Sequence, residues 1–250
     1  MSVPLKENAR RSGYWCQVTV PAHYRSVSDV HSMAARWRRG LATLVPAVMP
    51  LAMKAIFART TRRFGAERGY QAGFAIYWAT CWMLAGVIVG PRRMHDLWRP
   101  PEHLLPKPRP VAAVLLVAPP LGALATEWLP NARATDRAAV IVAAGVGITN
   151  ALAEETLWRG VPAATFPDDT LRGWLWPAVG FTAWHLVPLC TRQTTARRRA
   201  SLLGGAAAIG LCYGWIAQRT QSLVAVTPVH ALTDACGVRP AREIWLARGS

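Results

Sequence analysis

Phe74-Ala-Ile-Tyr-Trp-Ala-Thr-Cys-Trp-Met-Leu-Ala-Gly-Val-Ile-Val89 runs without a single charge, and Arg68 and the pair Arg92-Arg93 stand outside its two ends. Extended to 70–90, it is close to the ~20 residues that a helix needs to cross a hydrocarbon core. Nothing in it alternates polar with apolar, so it reads as a helix in lipid rather than as a half-buried strand. Working outward, similar runs lie at 40–58, 110–130, 137–158, 173–190, 200–217 and 222–237. The last two are short, and Pro46, Pro50 and Lys54 interrupt the first, which leaves an interfacial or re-entrant helix open there. The expected fold class is an all-α integral membrane protein, a bundle of about seven (six to eight) transmembrane helices.

Composition agrees with this reading. The 250 residues are 52% hydrophobic and 17% charged, against about 25% charged in a soluble domain. The mean hydropathy of +0.16 is held down by basic residues, yet these sit between the apolar runs. Arg36-Trp37-Arg38-Arg39, Arg62-Arg63, Arg92-Arg93 and Arg197-Arg198-Arg199 flank spans, where lipid headgroups suit them. The net charge of +16 is therefore assigned to the bilayer, and no nucleic acid partner is expected. Cys16, Cys81, Cys190, Cys212 and Cys236 form no CxxC pair and read as reduced thiols.

The chain divides into four regions: a basic N-terminal tail (1–39), N-terminal transmembrane helices (40–136), the membrane helices that carry the chemistry (137–237) and a C-terminal tail (238–250). The tail before the first span has no apolar h-region, so no cleavable signal peptide is expected. Pro119-Pro120, Pro177, Pro188 and Pro228 should bend or begin helices. Gly204-Gly205-Ala206-Ala207-Ala208 offers a small-residue face for close helix packing. No repeat of fixed period is visible, which counts against an inverted-repeat transporter.

Three local patterns carry chemistry. In Ala153-Glu154-Glu155-Thr156-Leu157-Trp158-Arg159-Gly160, Glu155 and Arg159 are one turn apart and pair on one face. Glu154 points about 100° away around the helix, free to meet another partner as a general base; a helix end with an ordinary surface ion pair is the plainer reading. Phe181-Thr182-Ala183-Trp184-His185-Leu186 sets a histidine inside an apolar run, a site candidate by its cost in lipid or a histidine bonded to a neighbouring helix. His230-Ala231-Leu232-Thr233-Asp234 puts His and Asp on one face, as ligands or as a hydrogen-bonded pair. Polar groups at membrane depth reduce their cost by meeting one another, so the three patterns should converge.

The order Glu-Glu-x-x-x-Arg (Glu154 to Arg159), Phe-x-x-x-His (Phe181 to His185) and His-x-x-x-Asp (His230 to Asp234) resembles the CPBP intramembrane proteases, the CAAX prenyl endopeptidase and bacteriocin-processing (Abi) group. The resemblance covers about 153–237, including the approach Ser222-Leu-Val-Ala-Val-Thr-Pro-Val-His230. It implies a membrane endopeptidase in which Glu154 and His185 orient and deprotonate the attacking water. His230 and the residue at 234 would stabilise the oxyanion, and Glu155 with Arg159 would hold the motif helix in place. The family usually has Asn where this chain has Asp234. An ionised Asp repels an oxyanion, so Asp234 is protonated, orients His230 or binds a metal. A metal set of Glu154, His185, His230 and Asp234 is open: zinc, another divalent ion, or none.

The expected function is thus hydrolysis of a peptide bond in a membrane-associated protein or peptide, at a multi-pass cell-membrane location. The Ala/Arg-rich composition and the lack of eukaryotic targeting signals point to a bacterial inner membrane. Two alternatives stand beside it: a non-catalytic binding or bacteriocin-immunity protein on the same fold, and a small transporter using the same carboxylates.

Overall fold

The computed structural model describes residues 27–190 and 195–246. Residues 1–35 and 36–250 form two compact units, and the second carries the helices of the bundle and the site. The expectations for the tail at 1–26, and for 191–194 and 247–250, lie outside the described residues.

Helix α1 (Val27–Phe64) begins well before the expected start at 40 and runs through Pro46 and Pro50 unbroken. It is no re-entrant segment: both prolines are buried and Lys54 is exposed. The Trp176 indole donates to the Thr43 carbonyl (2.9 Å) within this proline-bearing stretch, as neighbouring helices do in lipid. Gly65 and Gly90, both at φ 83°, turn the chain sharply into α2 (Ala66–Val89) and α3 (Pro91–Leu97), a backbone region that glycine enters without steric cost.

After α4 (Arg109–Ala123), the C-terminal half holds α5 (Arg137–Glu155), α6 (Val161–Thr165), α7 (Trp176–Trp184), α8 (Leu186–Cys190), α9 (Ala196–Thr220), α10 (Val226–Ala235) and α11 (Val238–Pro240). Asp136 caps α5, accepting from the Ala139 N–H at 2.7 Å. Among the four wide π-type turns of the described residues, Leu124–Trp128, Thr156–Gly160 and Leu171–Leu175 are closed by i→i+5 bonds from Leu129, Val161 and Trp176. Each of those donors is followed by a proline: Pro130, Pro162 and Pro177. Proline lacks the N–H that would close the next α turn and crowds the carbonyl four residues back, so the helix opens by one residue just before it.

Five helices are long and apolar enough to cross a membrane: Met33–Phe64, Ala66–Val89, Arg109–Trp128, Arg137–Thr165 and Ala196–Thr220. Their outer faces, with that of α7, carry exposed Leu51, Met83, Val114, Ile141, Val179 and Leu211, an apolar coat suited to lipid. The chain is an all-α, multi-pass membrane protein. The expected count of about seven spans is not reached among the described residues. The run 173–190 is helical but breaks at His185, three residues before Pro188, and the run 222–237 folds as the ten-residue α10.

The core joins Met53 and Phe57 of α1, Tyr77 and Cys81 of α2, Phe181 and Trp184 of α7, and Tyr213 and Ile216 of α9. Helix α10 lies along α5, and α7 along α9. Backbone and side-chain bonds from Leu223 N to Leu97 O (2.8 Å) and from Ser222 Oγ to Arg99 O (2.9 Å) fix the entry to α10. Arg172, through its backbone N–H and then its guanidinium, holds the half-buried Asp169 carboxyl below its ordinary pKa and shapes the turn into α7. Of the expected small-residue face, Ala206 is buried in the core, whereas Gly204 and Gly205 face open space; α9 makes its closest glycine approaches at Gly210, against Ala178, and at Gly214, against Trp174. Cys81, Cys212 and Cys236 are free thiols.

The contact that matters most for the site is at Gly147, where a Cβ would meet Ala231 O and Ala235 N of α10 at 2.9 Å. Gly147→Val should therefore lower stability in detergent by about 1–3 kcal/mol, as overpacking does. Gly86→Val, beside open space, should stay within about 0.5 kcal/mol of the parent. Thermal unfolding of the two variants checks this.

Candidate active site

Glu154 and Glu155 occupy the last turn of α5, and Arg159 lies in the wide turn that comes next. All three are buried, as is His230 on α10, with exposures of 2% or less. Burial of this many ionisable groups is tolerated because each has a partner. Glu155 Oε1 stands 3.2 Å from Arg159 Nη1 and accepts from His230 Nδ1 at 2.7 Å. The Arg159 contact is off-line for a hydrogen bond and acts as an ion pair. The guanidinium also lies over the Phe181 ring, 3.9 Å from its centroid, a cation–π contact that offsets part of its desolvation.

Glu154 is held differently. Its Oε1 accepts from the Tyr77 hydroxyl and from the Trp184 indole, each at 2.9 Å. Trp158 Nε1 donates to the same Tyr77 oxygen at 2.8 Å, and the Tyr77 and Trp184 rings stack at 3.8 Å. One carboxylate oxygen is thereby fixed by neutral donors, and the other, Oε2, is buried with no hydrogen-bond partner.

That orphan oxygen faces His230 Nε2 at 3.6 Å, and Asp234 Oδ1 lies 3.6 Å from the same nitrogen. Because His230 Nδ1 donates to Glu155, its Nε2 carries the lone pair in the neutral ring. Asp234 Oδ2 accepts from the Asn150 side-chain amide at 2.8 Å, and Asn150 Oδ1 accepts from Trp78 Nε1 at 2.8 Å. Among the described residues, the ligating atoms of Glu154, His230 and Asp234 lie within 4.8 Å of one another.

This set fits a divalent cation. Three carboxyl groups share the site with one permanent cation, Arg159. Two negative charges therefore call for protons or for one divalent ion. The orphaned oxygen, the bare imidazole nitrogen and the Asp234 oxygen are hard or borderline donors of the kind zinc takes.

His185 stands beside this set. Its Nδ1 donates to the Phe181 carbonyl at 2.8 Å, which leaves Nε2 as the free base position. Its ring lies edge-on to Phe181 at 4.6 Å, and the His230 ring meets the same phenyl at 6.1 Å. Four expected residues, Glu154, Glu155, Arg159 and His230, with Asp234 at their edge, are thus brought together, and His185 is placed next to them across Phe181 contacts. Tyr213 donates to Leu116 O at 3.3 Å, and its ring lies 6.1 Å from the His230 ring.

Sequence reading missed Tyr77, Trp184, Trp158, Trp78 and Asn150. A cavity of about 170 Å³ opens beside Asp234 and Asn150, walled by Tyr70, Phe74, Val146 and Trp245. Removing one member of the buried ion pair leaves the other uncompensated. Arg159→Met should destabilise the protein by about 3–5 kcal/mol, against about 1–3 kcal/mol for Tyr77→Phe, measured as loss of thermal stability in detergent.

Residues 136–236 match the family model for type II CAAX prenyl endopeptidase Rce1-like proteins. No curated protein and no solved structure matches the chain. Over 136–236, the segment that supplies Glu154, Glu155, Arg159, His185, His230 and Asp234, this membrane protein is similar to the Rce1-like CAAX prenyl endopeptidases.

Proposed function

We propose that the chain is an intramembrane endopeptidase that hydrolyses a peptide bond of a membrane-associated protein or peptide. The observation that carries this reading is Glu154 Oε2, a buried carboxylate oxygen without a hydrogen-bond partner, 3.6 Å from His230 Nε2. Glu155 Oε2 is likewise buried without a hydrogen-bond partner, but it is the Glu154 oxygen that faces the Nε2 edge of His230, where a reacting water or an ion would satisfy both. The Rce1-like match supports a protease of CAAX type.

In this reading Glu154 Oε2 takes a proton from water as its oxygen attacks the substrate carbonyl carbon. His185 Nε2, freed by the Phe181 bond, orients that water. The oxyanion that forms is met by the Nε2–H of His230 in its doubly protonated form, whose Nδ1–H is held by Glu155. The proton on Glu154 then passes to the leaving amine as the C–N bond breaks. Glu155 and Arg159 touch no substrate and keep His230 in register. If a divalent ion such as zinc binds, Glu154, His230 and Asp234 would hold it, and it would supply Lewis-acid activation of the water.

Asp234, where the resemblance leads one to expect Asn, favours one other reading, a binding or immunity protein that keeps the fold without catalysis. Full biological function in a His185→Ala/His230→Ala strain would support it.

Membrane proteins of a host expressing the chain should gain new N-termini near the bilayer edge, absent with Glu154→Ala, by mass spectrometry of protein termini. On a substrate so identified, Glu154→Ala, His185→Ala and His230→Ala should each lower turnover by about 10²–10⁴-fold, the usual worth of an acid–base group. Each should still insert in the membrane. Full processing by Glu154→Ala sinks the proposal. Loss of cleavage in 1,10-phenanthroline with return on added Zn²⁺ decides for the metal; undisturbed cleavage decides against it.

A further inference from the structure

Asn150 lies on α5 one helical turn before Glu154, in a run that is otherwise apolar on that face. An indole N–H is a donor and nothing else, so the Trp78 bond at 2.8 Å fixes the Asn150 carbonyl oxygen on its own side. The amide nitrogen is thereby turned to Asp234, and an amide nitrogen donates and does not accept. It takes Asp234 Oδ2 at 2.8 Å, and Oδ1 is the oxygen left to stand 3.6 Å from His230 Nε2. Without this bond Asp234, a quarter exposed at the cavity wall, has a second direction to point, towards the opening. Three links in series therefore place the carboxyl: indole, amide, acid.

We propose that Asn150, oriented by Trp78, is a positioning residue for Asp234 and sets which carboxyl oxygen faces His230. The inference rests on the endopeptidase reading for its kinetic consequence, not for its geometry. Partners that hold a site's inner residues are often worth 10–100-fold when removed. Their loss disturbs the reacting geometry more than the uptake of substrate.

Two measurements test it. In a side-chain-resolution structure of Asn150→Ala, Asp234 should turn away and leave His230 by more than the ~4 Å of an ion-pair contact; an unchanged carboxyl overturns the proposal whether or not the protein cuts anything. On a substrate that the parent cleaves and Glu154→Ala does not, Asn150→Ala should lower kcat about 10–100-fold with KM changed less than about threefold. Asn150→Ala should add nothing to Asp234→Ala, since both act through one carboxyl. Parent-like turnover, or an equal further loss on top of Asp234→Ala, overturns the proposal. Should Asn150→Ala fail to fold, Asn150→Leu keeps the volume, and Trp78→Phe keeps the ring while freeing the amide. A parent that leaves the substrate as uncut as Glu154→Ala does counts against the endopeptidase reading alone, and the structural measurement still decides the role of Asn150.

Discussion

Everything in this molecule turns on Glu155. It is fully buried, and its Oε1 is shared by Arg159 from the next turn and by His230 from another helix. An isolated carboxylate at such depth costs several kcal/mol even after relaxation. The guanidinium lowers that cost, and the histidine joins α5 to α10 at a fixed distance. Glu154 inherits its position from this junction. Being next in sequence but turned to another face, it meets Tyr77 and Trp184 with one oxygen and leaves the second bare. The tie at Glu155 thus fixes where the unpaired Glu154 oxygen stands relative to His230.

Proline gives the same region its shape. The wide turn Thr156–Gly160 opens before Pro162 and carries Arg159, and the break at His185 lies one turn short of Pro188. In a helix surrounded by lipid, a missing donor must be compensated within the protein. Here the irregular backbone coincides with the polar side chains, so the disturbed turns face the interior rather than the acyl chains.

Much of this could be read in the sequence, for reasons that also mark where reading stopped. Glu154, Glu155, His185 and His230 stood out because charge in an apolar run is costly, and cost implies a partner. The Glu155–Arg159 pair came from helical spacing alone. Tyr77 and Trp184 did not stand out, since tryptophan and tyrosine in spans serve more often as interface anchors. Their polar tips require partners once buried, and that requirement was the available signal. Asn150 was legible in the same sense, as a lone amide one turn from Glu154. The helix count was not legible: Pro188 marks a bend, but the sequence does not say whether the pieces on either side act as one span. The Gly204-Gly205 stretch misled because small residues permit close approach without requiring it.

Tyr77 belongs to α2, far outside 136–236. Its hydroxyl, together with Trp158 and Trp184, is what holds Glu154 still. The N-terminal half is therefore no interchangeable membrane spacer. A chimaera that grafted the Rce1-like segment onto foreign spans would inherit Glu154 and His230 without the phenol that steadies the carboxylate. Divergence in the N-terminal half is thus free over most of its lipid-facing surface and constrained at inward positions such as Tyr77 and Trp78, a restriction on modularity that the segment's own boundaries do not reveal.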